Sequence, residues 1–200
     1  MLNPMDTQTV VHLLSPVLDL FDQLGIPYRI GGSVATSYYG PQRATQDVDL
    51  IADISLAQIG ALVAGLDPQH YLIIDHSVLD AILHQSSFNI LDLTTMNKID
   101  VFIQKQTAQA QQEQQRATLV ALVPGTRQVW ISSAEDMLLE KLLWWQLGGG
   151  ISTRQWNDIV GLIQHHGTHL DTAYLDASAR VLVILPLLEQ AYTDAGVVFP

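Results

Sequence analysis

The chain has 200 residues, 48% of them hydrophobic and 14% charged, which is typical of a globular protein with room for a small domain and a helical lobe. It contains no cysteine, which excludes disulfides and thiolate metal sites and favours a reducing, cytoplasmic location. The net charge of −11 argues against a surface that holds long nucleic acids, and no apolar run approaches the roughly 18 residues of a membrane span.

The N-terminal part of the chain predicts a helix, a strand and a second helix in that order. Apolar residues recur at helical spacing over 10–24, and Gly25 stands where a C-cap is expected. Residues 27–30 are typical of a short buried strand. Gly31-Gly32-Ser33 then predicts a turn that opens a helix over 33–39.

The next strand carries two acids. Asp47 and Asp49 are two residues apart, so on a strand their carboxylates point to the same face, while Val48 and Leu50 form the opposite, apolar face. Further strands are predicted at 71–74, 86–91 and 99–103, with helices at 56–66 and 78–84. These elements predict an α+β core, a small mixed β-sheet flanked by helices.

The glutamine-rich segment 104–116 predicts a solvated helix rather than a prion-like tract, since it is short and contains three charged residues. Strands at 119–123 and 127–131 follow as a pair around Pro124-Gly125.

From residue 132 onward the pattern is helical. Ser132 and Glu135 predict a capping box at the start of the first helix, and three glycines at 148–150 end it. We therefore expect two domains, a core over 1–131 and a helical lobe over 132–200 packed against it.

Three carboxylates and one turn are the candidate site. Asp100 lies on the predicted strand beside Lys98 and Phe102, and with Asp47 and Asp49 it would complete an oxygen-rich site for Mg²⁺. The glycine turn at a helix start offers backbone N–H groups to phosphate. The simpler alternatives, solvated surface acids and an ordinary N-cap at Ser33, stay open.

Basic residues near these motifs are few. Arg43 and Thr45 lie in the loop before the acids, where Arg43 could clamp phosphate oxygens or merely pair with Asp47. Lys141 stands among apolar helix residues and could be a snorkelling lysine. Arg154 and Asp158 have the spacing of an ordinary helix-surface pair.

Taken together, Gly31-Gly32-Ser33, then Asp47-Val48-Asp49-Leu50, then Asp100 resemble the nucleotidyltransferase superfamily with its polymerase-β-like fold. The C-terminal half is similar to the toxin-related branch associated with bacterial abortive infection, on the evidence of Lys141, Arg154 and Asp158.

The resemblance implies Mg²⁺-dependent transfer of a nucleoside monophosphate from an NTP to an acceptor hydroxyl. It implies a catalytic set of Asp47, Asp49, Asp100 and Lys141, of which the three acids bind metal. It implies a nucleotide-binding set of Gly31, Gly32, Ser33, Arg43, Thr45, Arg154 and Asp158.

The acceptor stays open. The resemblance implies a toxin-like role on RNA, such as a tRNA end, with an antitoxin protein as partner and no membrane partner. A small-molecule hydroxyl of the aminoglycoside kind, or a protein side chain, is the alternative, and a cationic acceptor suits an acidic chain better. A catalytically silent module of the same fold, which binds nucleotide or protein, is the alternative from another class.

Overall fold

The computed structural model describes residues 5–40, 45–167 and 169–199 and shows a mixed sheet with helices, which confirms the predicted α+β class. The strands are β1 (Tyr28–Ile30), β2 (Asp47–Ala52), β3 (Tyr71–Leu72), β4 (Ser87–Asp92), β5 (Lys98–Ile103), β6 (Thr118–Ala121) and β7 (Gln128–Ile131). The helices are α1 (Thr7–Leu24), α2 (Gly32–Tyr39), α3 (Ile59–Gly65), α4 (Asp75–His84), α5 (Ala108–Arg116), α6 (Ala134–Leu147), α7 (Thr153–His166), α8 (Thr172–Val181) and α9 (Leu185–Ala195). None of the helices within these described ranges has the length and apolar composition that a bilayer crossing requires.

The sheet has the strand order β3-β4-β5-β2-β1-β7-β6. Strand β2 runs parallel to β5 and antiparallel to β1, and β1 runs parallel to β7. The acid-bearing strands β2 and β5 are therefore direct neighbours, although 45 residues of other structure, 53–97, separate them in the sequence.

Alternation along these strands determines which face of the sheet carries the acids. In β2 the buried residues are Val48, Leu50 and Ala52, and the residues between them are partly exposed. Ile99 and Val101 of β5 follow the same pattern and are fully buried. One face of the sheet is thus part of the apolar core, and the other carries the polar side chains.

Helix α1 ends where the sequence predicts. Gly25 adopts a left-handed conformation with φ 63°, and its N–H is donated to the last carbonyls of the helix. The first residues of the helix are capped by Asp6, whose carboxylate accepts from the N–H of Thr9 at 2.8 Å. Phe21 of this helix packs edge-on against Tyr28 of β1, with ring centroids 6.1 Å apart.

The glutamine-rich segment is helical, as predicted, but it is more than a solvated surface helix. Arg29 of β1 is 5% exposed and forms an ion pair with Glu113 of α5 at 2.8 Å. Its guanidinium also donates to Gln104 at 3.0 Å and to Gln114 at 3.1 Å. These bonds anchor α5 to the strand that leads into the glycine turn.

Helix α6 begins one residue later than the predicted capping box. Ser133, rather than Ser132, is the N-cap, and its hydroxyl oxygen accepts from the N–H of Asp136 at 3.1 Å. Ser132 instead extends the sheet, because its N–H donates to the carbonyl of Ile30 at 2.9 Å. Ser132, which the local pattern predicts as the N-cap of α6, is therefore used in strand pairing instead.

The chain divides into two compact units. One contains the described residues of 5–34 and 45–132 and holds the sheet with helices α1, α3, α4 and α5. The other contains 35–40, 133–167 and 169–199 and holds helices α6 to α9 together with most of α2.

Candidate active site

Two acids of the site are brought together by strand register. Asp49 of β2 lies directly opposite Asp100 of the parallel strand β5, and Asp47 lies opposite Lys98. Side chains opposite each other on neighbouring strands share a face of the sheet. The register therefore groups Asp47, Asp49 and Asp100 on the polar face, as the sequence predicts, and adds Lys98 to the group.

The glycine turn lies against Asp49. Gly31 donates its N–H to the Asp49 carbonyl at 2.9 Å, which continues the pairing of β1 with β2. Gly32 has φ 55°, and a Cβ at this position would overlap the Asp49 Oδ2 and lie 2.6 Å from its Cγ. Only glycine fits here, both because of the left-handed backbone and because the carboxylate occupies the space of a side chain.

A chain of hydroxyl groups ties the turn to the start of β2. Thr45 donates its hydroxyl to the Asp47 carbonyl at 2.7 Å, so its oxygen is left to accept from the Ser33 hydroxyl, 2.6 Å away. Thr45 is 7% exposed, and its backbone forms a bridge with Met5. Thr45 therefore positions Ser33 and Asp47 relative to each other.

The neighbouring carboxylates make Asp49 harder to ionise. The pKa of Asp49 rises from 3.8 to about 6, first because the carboxyl is buried and then because Asp47 and Asp100 are negative. Lys98 and the backbone N–H of Ser33 act in the opposite direction. The site thus carries more negative charge than its own groups neutralise, which is the condition that a bound cation would relieve.

Lys98 partly balances this charge. Its Nζ lies 2.7 Å from Asp100 Oδ2, and this hydrogen bond, together with the neighbouring acids, raises the pKa of the lysine. Within the described ranges, no three histidine or acidic side chains stand grouped so that they could hold a metal ion together. Asp100 shares the polar face with Asp47 and Asp49 but is paired with the Lys98 ammonium group.

The donor chemistry nevertheless fits Mg²⁺. Asp47, Asp49 and Asp100 offer only carboxylate oxygens, which are the ligands that this hard cation prefers, and they lie on adjacent strands. A cation bound beside these acids would offset the same repulsion that raises the pKa of Asp49. Asp92, the last residue of β4, is engaged outside this group, since its carboxylate accepts from the N–H and hydroxyl groups of the turn that follows the strand.

The remaining predicted residues belong to other parts of the chain. Lys141 of α6 forms an ion pair with Asp158 of α7 at 3.2 Å, and both side chains are mostly buried. Asp158 is therefore paired with Lys141, whereas Arg154 is exposed on the same helix. Arg43 lies outside the described residues.

The structure adds Lys98 and Asn89 to the site, two residues to which the sequence assigned no role. Lys98 and Asp100 share a face because they are two residues apart on a strand, and that spacing is the signal that could have pointed to Lys98. Asn89 of β4 lies opposite Asp100 on the other side and is exposed. Only the sheet order reveals Asn89 as a neighbour.

Comparisons with known proteins give the fold. No family model matches the sequence, and no curated protein matches it. An antigenic nucleotidyltransferase-like protein from Paracoccidioides brasiliensis is similar in structure, with a TM-score of 0.57 and 20% identity over 96% of this chain and 95% of that chain. The antibiotic-resistance factor ANT(2'')-Ia, solved in complex with adenylyl-2''-tobramycin, has a TM-score of 0.57 and 16% identity over 88% of this chain and 97% of that chain.

The solution structure of ANT(2'')-Ia agrees, with a TM-score of 0.54 and 16% identity over 94% of this chain and all of that chain. At these identities the likeness shows the fold alone. The protein has the fold of nucleotidyltransferase structures, as the glycine turn and the paired acids predict. The abortive-infection branch stays a prediction.

Proposed function

We propose that this protein is an Mg²⁺-dependent nucleotidyltransferase that moves a nucleoside monophosphate from an NTP to an acceptor hydroxyl and releases pyrophosphate. The observation that carries the proposal is the strand register that groups Asp47, Asp49 and Asp100 beside the glycine turn. The fold shared with nucleotidyltransferase structures supports it.

The reaction forms one bond and breaks one. The acceptor oxygen attacks the α-phosphorus of the NTP, and the bond from that phosphorus to the α–β bridging oxygen breaks, so that pyrophosphate leaves with the bond's electron pair. The proton of the acceptor hydroxyl needs a base. Asp100 is proposed either as this base or as a metal ligand, because it lies on the face of the sheet that carries the other acids.

Mg²⁺ would be held by Asp47 and Asp49, and by Asp100 in the version in which Asp100 is not the base, and it would neutralise charge on the phosphoryl and leaving groups. The contribution of the chain is to hold these acids in register. Burial fixes their strands, and Gly32 leaves room for the Asp49 carboxylate.

The nucleotide would be held first by the glycine turn. Gly31, Gly32 and Ser33 present backbone N–H groups and a hydroxyl at the start of α2, a type of site that suits phosphate oxygens. The Ser33 N–H faces Asp49. On the basis of the resemblance we also propose nucleotide contacts for Arg43, Thr45, Lys141, Arg154 and Asp158.

The acceptor is proposed in two versions. The toxin resemblance favours RNA, such as a tRNA end, and an antitoxin partner. The net charge of −11 favours a cationic small molecule instead, because an acidic surface attracts cations and repels phosphates. The adenylyl-2''-tobramycin in the ANT(2'')-Ia complex is an adenylylated small molecule of that second kind, bound by a protein of the same fold. A protein side chain is a third acceptor class.

Incubation of the pure protein with each α-labelled NTP and Mg²⁺ tests the proposal, with total RNA, total protein, a metabolite extract and an aminoglycoside panel offered as separate acceptors. The matched control is the Asp47→Asn/Asp49→Asn variant, which keeps the size of both side chains and removes both charges. We expect the wild type to label one acceptor class and the variant to label none.

Equal labelling by the variant would show that these acids do not carry the reaction. A wild type that labels nothing and shows no binding of Mg·NTP in calorimetry would instead identify a silent module of this fold, and Mg·NTP would then leave its melting temperature unchanged. Labelling of RNA supports the toxin version, and labelling of an aminoglycoside supports the small-molecule version.

A further inference from the structure

Lys98 is the charged group of the site to which the proposed function gives no part. We infer that Lys98 is a built-in counter-ion that holds Asp100 in the metal-free protein, opposes binding of free Mg²⁺, and favours binding of Mg²⁺ together with NTP. This inference rests on the proposed function and adds to it a residue that decides how the site is loaded.

The geometry of Lys98 supports its role as the counter-ion of Asp100. Its Nζ lies 2.7 Å from Asp100 Oδ2, and its own strand position is directly opposite Asp47. The Lys98 ammonium group thus stands among three carboxylates of the polar face. Because an ammonium group and a metal ion compete for the same carboxylate oxygens, Mg²⁺ gains Asp100 Oδ2 as a ligand only when Lys98 releases it.

The exposure of Lys98 allows it to release Asp100. Its side chain is 39% exposed, whereas that of Asp100 is 15% exposed. A lysine has a flexible four-carbon stem and carries a compact charge, so it can leave one oxygen for another without moving the backbone. The strands below it are held by buried residues, which leaves the lysine as the part of the pair that moves.

Once Lys98 releases Asp100, its ammonium group has to find a new partner. Binding of Mg²⁺ therefore depends on the nucleotide. Free Mg²⁺ would displace Lys98 into solvent and leave it near the bound ion, which is unfavourable. An NTP brings phosphate oxygens that accept the ammonium group. The same residue therefore weakens binding of the bare metal and strengthens binding of the metal with its nucleotide.

Calorimetry and thermal melting of the intact protein test the inference with Mg²⁺ alone and with Mg²⁺ plus an α,β-methylene NTP analogue, which cannot be turned over. Lys98→Met and Lys98→Gln remove the charge, and Lys98→Arg retains it. Lys105→Met is the matched control, since it removes one exposed lysine from the segment that follows β5 and changes the net charge equally.

We expect both neutral Lys98 variants to melt at a lower temperature than the wild type in EDTA, because the carboxylates lose their counter-ion. Their half-saturating concentration of free Mg²⁺ should fall by about tenfold, as expected for removal of one repulsive charge near the ion. Their affinity for the analogue with Mg²⁺ should fall several-fold. Lys98→Arg and Lys105→Met should stay close to the wild type in all three measurements.

The opposite signs of the two binding changes distinguish this role from a purely structural one, which would weaken both. Unchanged or weaker binding of free Mg²⁺ by the neutral variants overturns the inference, even if the wild type transfers nucleotide normally. A wild type that binds neither Mg²⁺ nor the analogue overturns the proposed function and this inference together.

Discussion

The replacement Asp49→Asn should make the protein more stable at neutral pH while removing its activity. Asp49 has a pKa of about 6 in the folded protein against an ordinary value of 3.8, chiefly because the carboxyl is buried and then because Asp47 and Asp100 are close. A buried acid that is ionised at neutral pH costs folding free energy, and an amide of the same shape does not.

The sign and size follow from proton linkage. The raised pKa means that the folded protein binds this proton more tightly than the unfolded chain does, so the contribution of Asp49 to stability falls as pH rises from about 4 to about 6. Above about pH 6 the full cost applies. The difference of about two pKa units corresponds to about 3 kcal/mol, and below about pH 4 the cost disappears.

Urea unfolding in EDTA measures this cost for the wild type and for Asp49→Asn. At about pH 7.5 we expect the variant to be more stable by about 3 kcal/mol, and at about pH 4 the two proteins should be equal. Asp53→Asn is the control, because Asp53 accepts one exposed hydrogen bond from Gln106 that an asparagine can also accept. It should change the free energy of unfolding by less than about 0.5 kcal/mol.

Addition of Mg²⁺ and NTP should reverse the order. The wild type should gain stability from the bound ligands, whereas Asp49→Asn should gain little and should not transfer nucleotide. A variant that is less stable than the wild type at neutral pH, or whose gain is the same at both pH values, would refute the electrostatic reasoning.

Gly32→Ala should lower transfer by more than about a hundredfold, because its Cβ would displace the Asp49 carboxylate. The left-handed backbone strain should cost only about 1–2 kcal/mol of stability. The control Gly60→Ala has open space at the new Cβ and lies in α3, so it should be neutral or slightly stabilising. A fully active Gly32→Ala would contradict the proposed packing. Lys141→Met should cost about 2 kcal/mol in urea unfolding because it removes one ion-pair partner of the mostly buried Asp158, and Lys141→Met/Asp158→Asn should recover part of that loss. A single variant as stable as the wild type would show that the pair contributes nothing.

The sequence by itself determined the elements whose signals are local. The period of two in β2 separates its acids from its apolar face, and the structure confirms it. The capping glycine of α1 and the turn at 31–33 are read correctly for the same reason, since each depends on the backbone preferences of neighbouring residues. The α+β class follows from these elements together.

The tertiary structure alone decided the partners of each charged group. Asp49 meets Asp100 because β2 and β5 pair in one particular register, and a shift of one residue would place Asp100 on the other face. The same register brings Lys98 to the acids.

Competition between local and long-range partners explains the differences. Ser132 could cap α6 but pairs with the carbonyl of Ile30, and Asp158 lies four residues from Arg154 but is paired with Lys141. In each case the observed partner is distant in the sequence, and the packed sheet and helices bring it within reach. A sequence pattern records which partners are chemically suitable, whereas only the folded chain brings one of them within hydrogen-bonding distance.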